Sequence, residues 1–162
     1  YNIPKMTKTS FGVETIDRLT GETKIAGFKD SSKDFGYFRE ILMVTRKRPD
    51  WSVLIGYEDL LAVSLLAGGD GGVLAGGNIY PQLLVNLYHA IAKDDREEVA
   101  SIEQRLSGIR QMYTLGTGAT SAIQVIKYAL EIKGICSRTM TIPFRSLSDM
   151  AGERVREIIL KF

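Results

Sequence analysis

The chain reads as an α/β fold in which parallel strands are joined by helical crossovers. Three observations carry this reading. Short apolar runs at residues 24–28, 52–55 and 71–74 are each followed by a helix-spaced stretch. Such alternation predicts βαβ units, because parallel strands need a crossover to bring the chain back to the same end of the sheet. Beyond residue 95 the strand signals stop and only amphipathic helices follow. Three strands are few for a free-standing doubly wound sheet, and a whole (β/α)8 barrel takes about 250 residues. The 162 residues suit the second half of a (β/α)8 TIM barrel followed by C-terminal helices.

Each element follows from a local signal. Residues 14–19 form part of a short helix, and residues 24–28 read as a strand. Over residues 34–47, Phe35, Phe38, Ile41, Leu42 and Thr45 recur near one helix face; Asp34 suits the N-cap and Pro49 the stop. Residues 52–55 are the next strand and 58–67 the next helix. Residues 71–74 read as a third strand leading into Ala75-Gly76-Gly77-Asn78. Pro81 fits the first turn of a helix running to Lys93. Long helices over 96–113, 121–133 and 148–160 follow, the second ended by Gly134, with a connecting loop over 137–143. The expected division is residues 1–94, from the end of strand five to helix eight of the barrel, and residues 95–162, a helical extension.

Composition removes several function classes. Net charge is +2, from 21 Lys and Arg against 19 Asp and Glu, too small an excess for nucleic acid binding. The cluster Arg46-Lys47-Arg48 falls where a helix ends and reads as a solvated terminus that suits the helix dipole. Cys136 is the only cysteine, which rules out an internal disulfide and weakly favours a reducing, cytoplasmic setting. His89 is the only histidine, so no metal site is expected. No apolar run is long enough to span a membrane. The chain opens on Tyr1 without an initiator methionine, and the expectation is a part of a longer protein.

The residue that points to chemistry is Lys29. It ends the apolar run Ile25-Ala26-Gly27-Phe28, and Asp30-Ser31-Ser32 follows. In α/β folds, ligands gather at the C-terminal edges of strands. A lysine there can be desolvated, which lowers its pKa and frees the amine to attack carbonyls. A Lys-Asp pair after a strand is, taken alone, most often a solvent-facing turn. Gly68-Gly69-Asp70-Gly71-Gly72 reads as a tight helix-to-strand connection. Gly116-Thr117-Gly118-Ala119-Thr120-Ser121 lacks the lysine of a phosphate-binding loop and reads as a loop with a helix cap.

Tyr1-Asn2-Ile3-Pro4, followed at the right separation by Ile25-Ala26-Gly27-Phe28-Lys29-Asp30, resembles the dihydrodipicolinate synthase/N-acetylneuraminate lyase family. Gly56-Tyr57-Glu58-Asp59 resembles the Gly-x-Asp-x turn after that family's seventh strand, and residues 72–78 its eighth strand and loop. The resemblance covers essentially the whole chain. It implies a pyruvate-dependent class I aldolase or lyase on a (β/α)8 barrel, often tetrameric, working without a metal or organic cofactor. By resemblance, Lys29 would form the Schiff base with a 2-keto acid and Tyr1 would transfer protons. Gly76, Gly77 and Asn78 would line the substrate site, or serve only to let the chain turn.

Two departures matter. In dihydrodipicolinate synthases an arginine two residues beyond the proline meets the substrate carboxylate; here that position is Met6, and a thioether cannot pair with a carboxylate. With the loop Leu74-Ala75-Gly76-Gly77-Asn78, this shifts the resemblance toward 2-keto-3-deoxygluconate-type aldolases. The partners expected are therefore pyruvate and an aldehyde, or a 2-keto-3-deoxy sugar acid. Second, the family's carboxylate-binding Gly-Thr-Thr-Gly-Glu-like run and a further tyrosine are not in these residues, so the missing N-terminal half of the barrel is required for the site. Dihydrodipicolinate synthase itself, a non-catalytic keto-acid-binding barrel and a half-barrel that completes itself by dimerising are the alternatives.

Overall fold

The computed structural model describes residues 1–161; Phe162, the last residue of the expected helical extension, lies outside the described residues. The chain forms two compact units. The first comprises residues 1–74 and 88–94, the second residues 75–87 and the chain from Asp95 on.

The first unit is built on three parallel strands, β1 (Gly27–Asp30), β2 (Ser52–Ile55) and β3 (Gly71–Gly72), in that spatial order. Asn2 adds a single parallel bridge to Asp30 on the far side of β1. Helices α1 (Pro4–Thr7), α2 (Val13–Leu19), α3 (Phe35–Thr45) and α4 (Leu61–Leu66) complete the connections. Burial alternates along β1 and β2: Phe28, Asp30, Val53 and Ile55 are buried, whereas Lys29 and Leu54 are only half-buried. This is the period-two signature of a strand. Ile16, Phe38, Ile41 and Leu61 are also buried in this unit. Asp34 caps α3 as expected, its Oδ1 accepting the Tyr37 N–H at 3.0 Å.

Several boundaries differ from the sequence reading. The first strand covers residues 27–30 rather than 24–28. Arg48 explains the shift. Its guanidinium donates to the carbonyls of Thr20 (2.7 Å), Glu22 (3.0 Å) and Ile25 (3.3 Å), which holds residues 20–25 in a turn. It also pairs with Asp50 at 2.6 Å and lies 5.2 Å over the Trp51 ring. Arg48 is thus not a solvated helix end: its side chain is only 17% exposed. Lys47 does stay at the surface, paired with Asp17 at 2.5 Å. The expected helix over 58–67 begins as a 3-10 turn, Glu58–Leu60, before α4. The third strand stops at Gly72, although Val73 N–H still donates to the Ile55 carbonyl at 2.9 Å. Short α1 was not expected; Pro4 starts it, as its fixed φ allows. Asp70 staples the connection into β3, its Oδ2 accepting from Val53 N–H at 2.7 Å.

The second unit is helical. It contains the 3-10 turn Ala75–Asn78, the first part of α5 (Pro81–Ala92), and α6 (Arg96–Gln111), α7 (Ser121–Ile132) and α8 (Asp149–Ile159). Its buried residues include Leu83, Ile102, Leu106, Val125, Ala129 and Val155. The helix expected over 96–113 ends at Gln111 and tightens into a 3-10 turn, Met112–Leu115. Gly134 ends α7 at φ +70°, the left-handed stop expected of it. Buried Gln124 bridges two loops: its Oε1 accepts from Thr117 N–H and its Nε2 donates to the Arg145 carbonyl, both at 2.9 Å. Ser121 Oγ donates to the Tyr113 carbonyl. Loop 116–121 therefore spends polar groups on local closure.

Two outcomes are expected from this packing. Alanine normally suits a helix interior better than glycine. At Gly152 in α8, however, an added Cβ would strike the Tyr128 ring of α7. Gly152→Ala should therefore destabilise the protein by about 1–3 kcal/mol, read as a lower urea midpoint. The Tyr37 hydroxyl donates to the Phe11 carbonyl at 2.9 Å. Burial first, and then the Asp30 carboxylate, push its pKa from 10.0 to about 12. The folded state thus prefers the protonated phenol. Its contribution is complete below pH ~10 and is lost as pH rises through about 12. Tyr37→Phe should cost about 1 kcal/mol at neutral pH and flatten the stability curve in that alkaline window, measured by urea unfolding at stepped pH.

Candidate active site

The site begins with strand alternation at the C-terminal edge of β1. Asn2 N–H donates to the Lys29 carbonyl at 2.9 Å, and Ser31 N–H to the Asn2 carbonyl at 2.8 Å. These two bonds set Asn2 level with Asp30 and Tyr1 level with Lys29. Side chains of successive strand residues point to opposite faces. Asn2 and Asp30 therefore share the buried face, and Tyr1 and Lys29 share the other. There the Lys29 ammonium lies 4.1 Å from the centroid of the Tyr1 ring, within cation–π reach.

Ser31 joins them. Its hydroxyl and the Tyr1 phenol are 3.2 Å apart and hydrogen-bonded. Ser31 escaped the sequence reading, although its place two residues after Lys29 carries the same-face signal. Gly56, the residue after β2, donates its N–H to the Asp30 carbonyl at 2.6 Å. A Cβ on Gly56 would fall on Ser31 Oγ, so only glycine allows the serine this position. The Gly56-Tyr57-Glu58-Asp59 turn thus lies against the Lys29-Asp30-Ser31 edge. Beyond it, Lys33 reaches Asp59 at 3.9 Å and lies 5.6 Å from the Tyr57 ring.

Beneath this edge, the other face carries a buried polar pair. Asp30 is 0% and Asn2 1% exposed. Asp30 Oδ1 accepts from Asn2 Nδ2 at 2.7 Å and from Ser32 N–H at 3.1 Å, and Oδ2 accepts from Ser32 Oγ at 2.7 Å. Asn2 Oδ1 accepts from Phe11 N–H at 3.3 Å. Met6, the position that set the substrate preference, is exposed on α1.

Gly76, Gly77 and Asn78 lie in the second unit, in the 3-10 turn. The turn closes on itself: Asn78 Nδ2 donates to the Ala75 carbonyl at 2.9 Å, and Ile79 and Tyr80 N–H groups donate to the Gly76 carbonyl at 2.9 and 2.7 Å. A Cβ on Gly77 would meet Leu84 at an ordinary 3.8 Å. No group of three or more His, Cys, Asp or Glu side chains able to hold a metal occurs among the described residues, and no described helix is long and apolar enough to cross a membrane. His89 and Cys136 are exposed.

Comparison with known proteins identifies relatives of the chain. The chain is 30% identical over 162 residues to "Probable 2-dehydro-3-deoxy-D-pentonate aldolase YjhH" of Escherichia coli K12, covering 98% of this chain and 53% of that protein. It is also 30% identical to a 4-hydroxy-tetrahydrodipicolinate synthase of Methanospirillum hungatei, covering 100% of this chain and 54% of the relative. The dihydrodipicolinate synthase of Bacteroides thetaiotaomicron superposes with a TM-score of 0.94 at 34% identity, covering 100% of this chain and 55% of that one. YagE of E. coli K12, a prophage protein solved in complex with pyruvate, gives a TM-score of 0.88 at 30% identity over 99% of this chain and 54% of its own. The chain spans about half the length of the curated relatives it matches. Residues 1–161 match the Dihydrodipicolinate synthetase family, and with the Tyr1–Lys29 pair set side by side on one sheet edge, the chain belongs to that family.

Proposed function

We propose that these residues carry the lysine of a pyruvate-dependent class I aldolase that cleaves a 2-keto-3-deoxy sugar acid to pyruvate and an aldehyde. The observation that carries the reading is the Tyr1–Lys29 pair, with the Lys29 ammonium 4.1 Å from the phenol ring at a strand's C-terminal edge. The Lys29 amine attacks the substrate ketone and expels water to give an imine. The protonated imine accepts electrons from the breaking C3–C4 bond, while Tyr1 takes the proton of the C4 hydroxyl. The aldehyde leaves, the resulting enamine is protonated at C3, and hydrolysis of the imine returns pyruvate and the free lysine. Ser31, hydrogen-bonded to the phenol, orients it. No organic cofactor enters this scheme, since the lysine imine is the electron sink.

In this reading residues 1–94 run from the end of strand five to helix eight of a (β/α)8 barrel, residues 95–162 form the helical extension, and an N-terminal half completes the barrel. The coverage of about half of each relative supports it. A cytoplasmic homotetramer is part of the same reading. Met6 and the likeness to YjhH favour a sugar acid. The likeness to 4-hydroxy-tetrahydrodipicolinate synthases favours a second reading, condensation of pyruvate with aspartate semialdehyde.

Borohydride trapping with pyruvate on the full-length protein, followed by peptide mapping, is expected to place a reduced adduct on Lys29; no adduct would remove the imine mechanism. Aspartate semialdehyde should be turned over poorly beside 2-keto-3-deoxy sugar acids, and robust turnover would favour the second reading. Because Gly77 has room for a methyl group, Gly77→Ala should keep its urea midpoint while raising KM for the sugar acid several-fold; an unchanged KM would leave residues 76–78 as a turn only.

A further inference from the structure

We infer that Asp30 is a positioning residue whose buried carboxylate holds Asn2, and through Asn2 sets Tyr1 against Lys29. The inference rests on the aldolase reading above. Each member of the Tyr1–Lys29 pair is the chain neighbour of one member of a buried polar pair: Tyr1 precedes Asn2 and Lys29 precedes Asp30. Among the described residues, only two backbone hydrogen bonds join the Tyr1–Asn2 segment to β1 and the residue after it, Ser31. So short a ladder resists slippage weakly, and a slip of one residue would carry Tyr1 to the opposite face. The Asn2–Asp30 side-chain bond at 2.7 Å is satisfied only when the two residues are level. That is the register in which Tyr1 stands beside Lys29.

The carboxylate is not needed to fill the core. Its neighbours on the same face, Phe28, Val53 and Ile55, are apolar and buried. A charge taken from water is costly unless it is fully hydrogen-bonded, and such groups are poor sources of stability; their best-attested use is to fix register. Asp30 is fully committed in this way, with Asn2 Nδ2, Ser32 N–H and Ser32 Oγ as donors. Ser32 Oγ in turn accepts from Asp34 N–H at 3.1 Å, and Asp34 caps α3. Asn2 Oδ1 holds the Phe11 N–H. One carboxylate therefore links the Tyr1 segment, the Lys29 strand and the start of the following helix. A leucine at position 30 has nearly the same shape but accepts no hydrogen bond, so Asn2 Nδ2 and Ser32 N–H both lose their acceptor; an asparagine keeps Oδ1 for both and donates its amide to the Ser32 hydroxyl.

The test uses the full-length protein. In Asp30→Leu, borohydride trapping of pyruvate on Lys29 should stay within about twofold of wild type, because the amine is untouched. Turnover should fall by up to about 10²-fold in kcat with little change in KM, the cost of misplacing a proton-transfer group by about an ångström. Asp30→Asn is the conservative variant: its Oδ1 still accepts from Asn2 Nδ2 and Ser32 N–H, and its amide donates to the Ser32 hydroxyl. This variant should keep most of the wild-type kcat. Unchanged kcat in Asp30→Leu overturns the inference. So does a parallel loss of trapping and turnover in Asp30→Leu, or an Asp30→Asn variant that loses as much kcat as Asp30→Leu. A wild-type protein that is not trapped at all removes the aldolase reading itself, a different result from a trapped wild type beside a fully active Asp30→Leu.

Discussion

Everything at the candidate site hangs on the two-residue alternation of a parallel ladder. Asn2, β1 and β2 share one register, in which Asp30 is level with Ile55 and Lys29 with Leu54. One face of this ladder is buried and carries Phe28, Val53, Ile55 and the Asn2–Asp30 pair. The other presents Lys29 and, beside it, Tyr1. Because side chains alternate strictly, the burial of one set fixes the direction of the other. The Lys29 amine is thus aimed by its apolar neighbours as much as by its own contacts.

The two ends of β1 are held by opposite charges doing similar jobs. Before the strand, the Arg48 guanidinium collects the carbonyls of Thr20, Glu22 and Ile25. After it, the Asp30 carboxylate collects the donors of Asn2 and Ser32. Irregular backbone on either side of a strand leaves polar groups without ladder partners, and a planar, multivalent ion can satisfy several at once. The second unit solves the same problem with a neutral group: Gln124 accepts from one loop and donates to another. Its helices meet closely enough that Gly152 cannot gain a methyl group without meeting Tyr128.

A family resemblance and a local geometry meet at the same residues here. The resemblance rests on which residues stand at which separation. The geometry rests on hydrogen bonds that bring residues 1 and 29 together. Ser31 and Gly56 show what the geometry adds: the serine hydroxyl reaches the phenol because the chain after β2 passes close by as glycine.

Much of this was legible in the sequence. Helix positions followed from apolar spacing, and Asp34, Pro81 and Gly134 act at helix ends as their chemistry dictates. These are local effects, decided within a few residues by sterics and hydrogen bonding. Lys29 was legible because an apolar run ending in a lysine is itself a local pattern. The strand boundary at residue 27 was not, since Arg48, more than twenty residues later, holds the preceding turn. Nor was the buried Asn2–Asp30 pair, whose members lie 28 residues apart. Sequence determined which elements form and which side chains are available; tertiary structure decided their register and partners, because long-range polar groups are satisfied only once the strands are side by side.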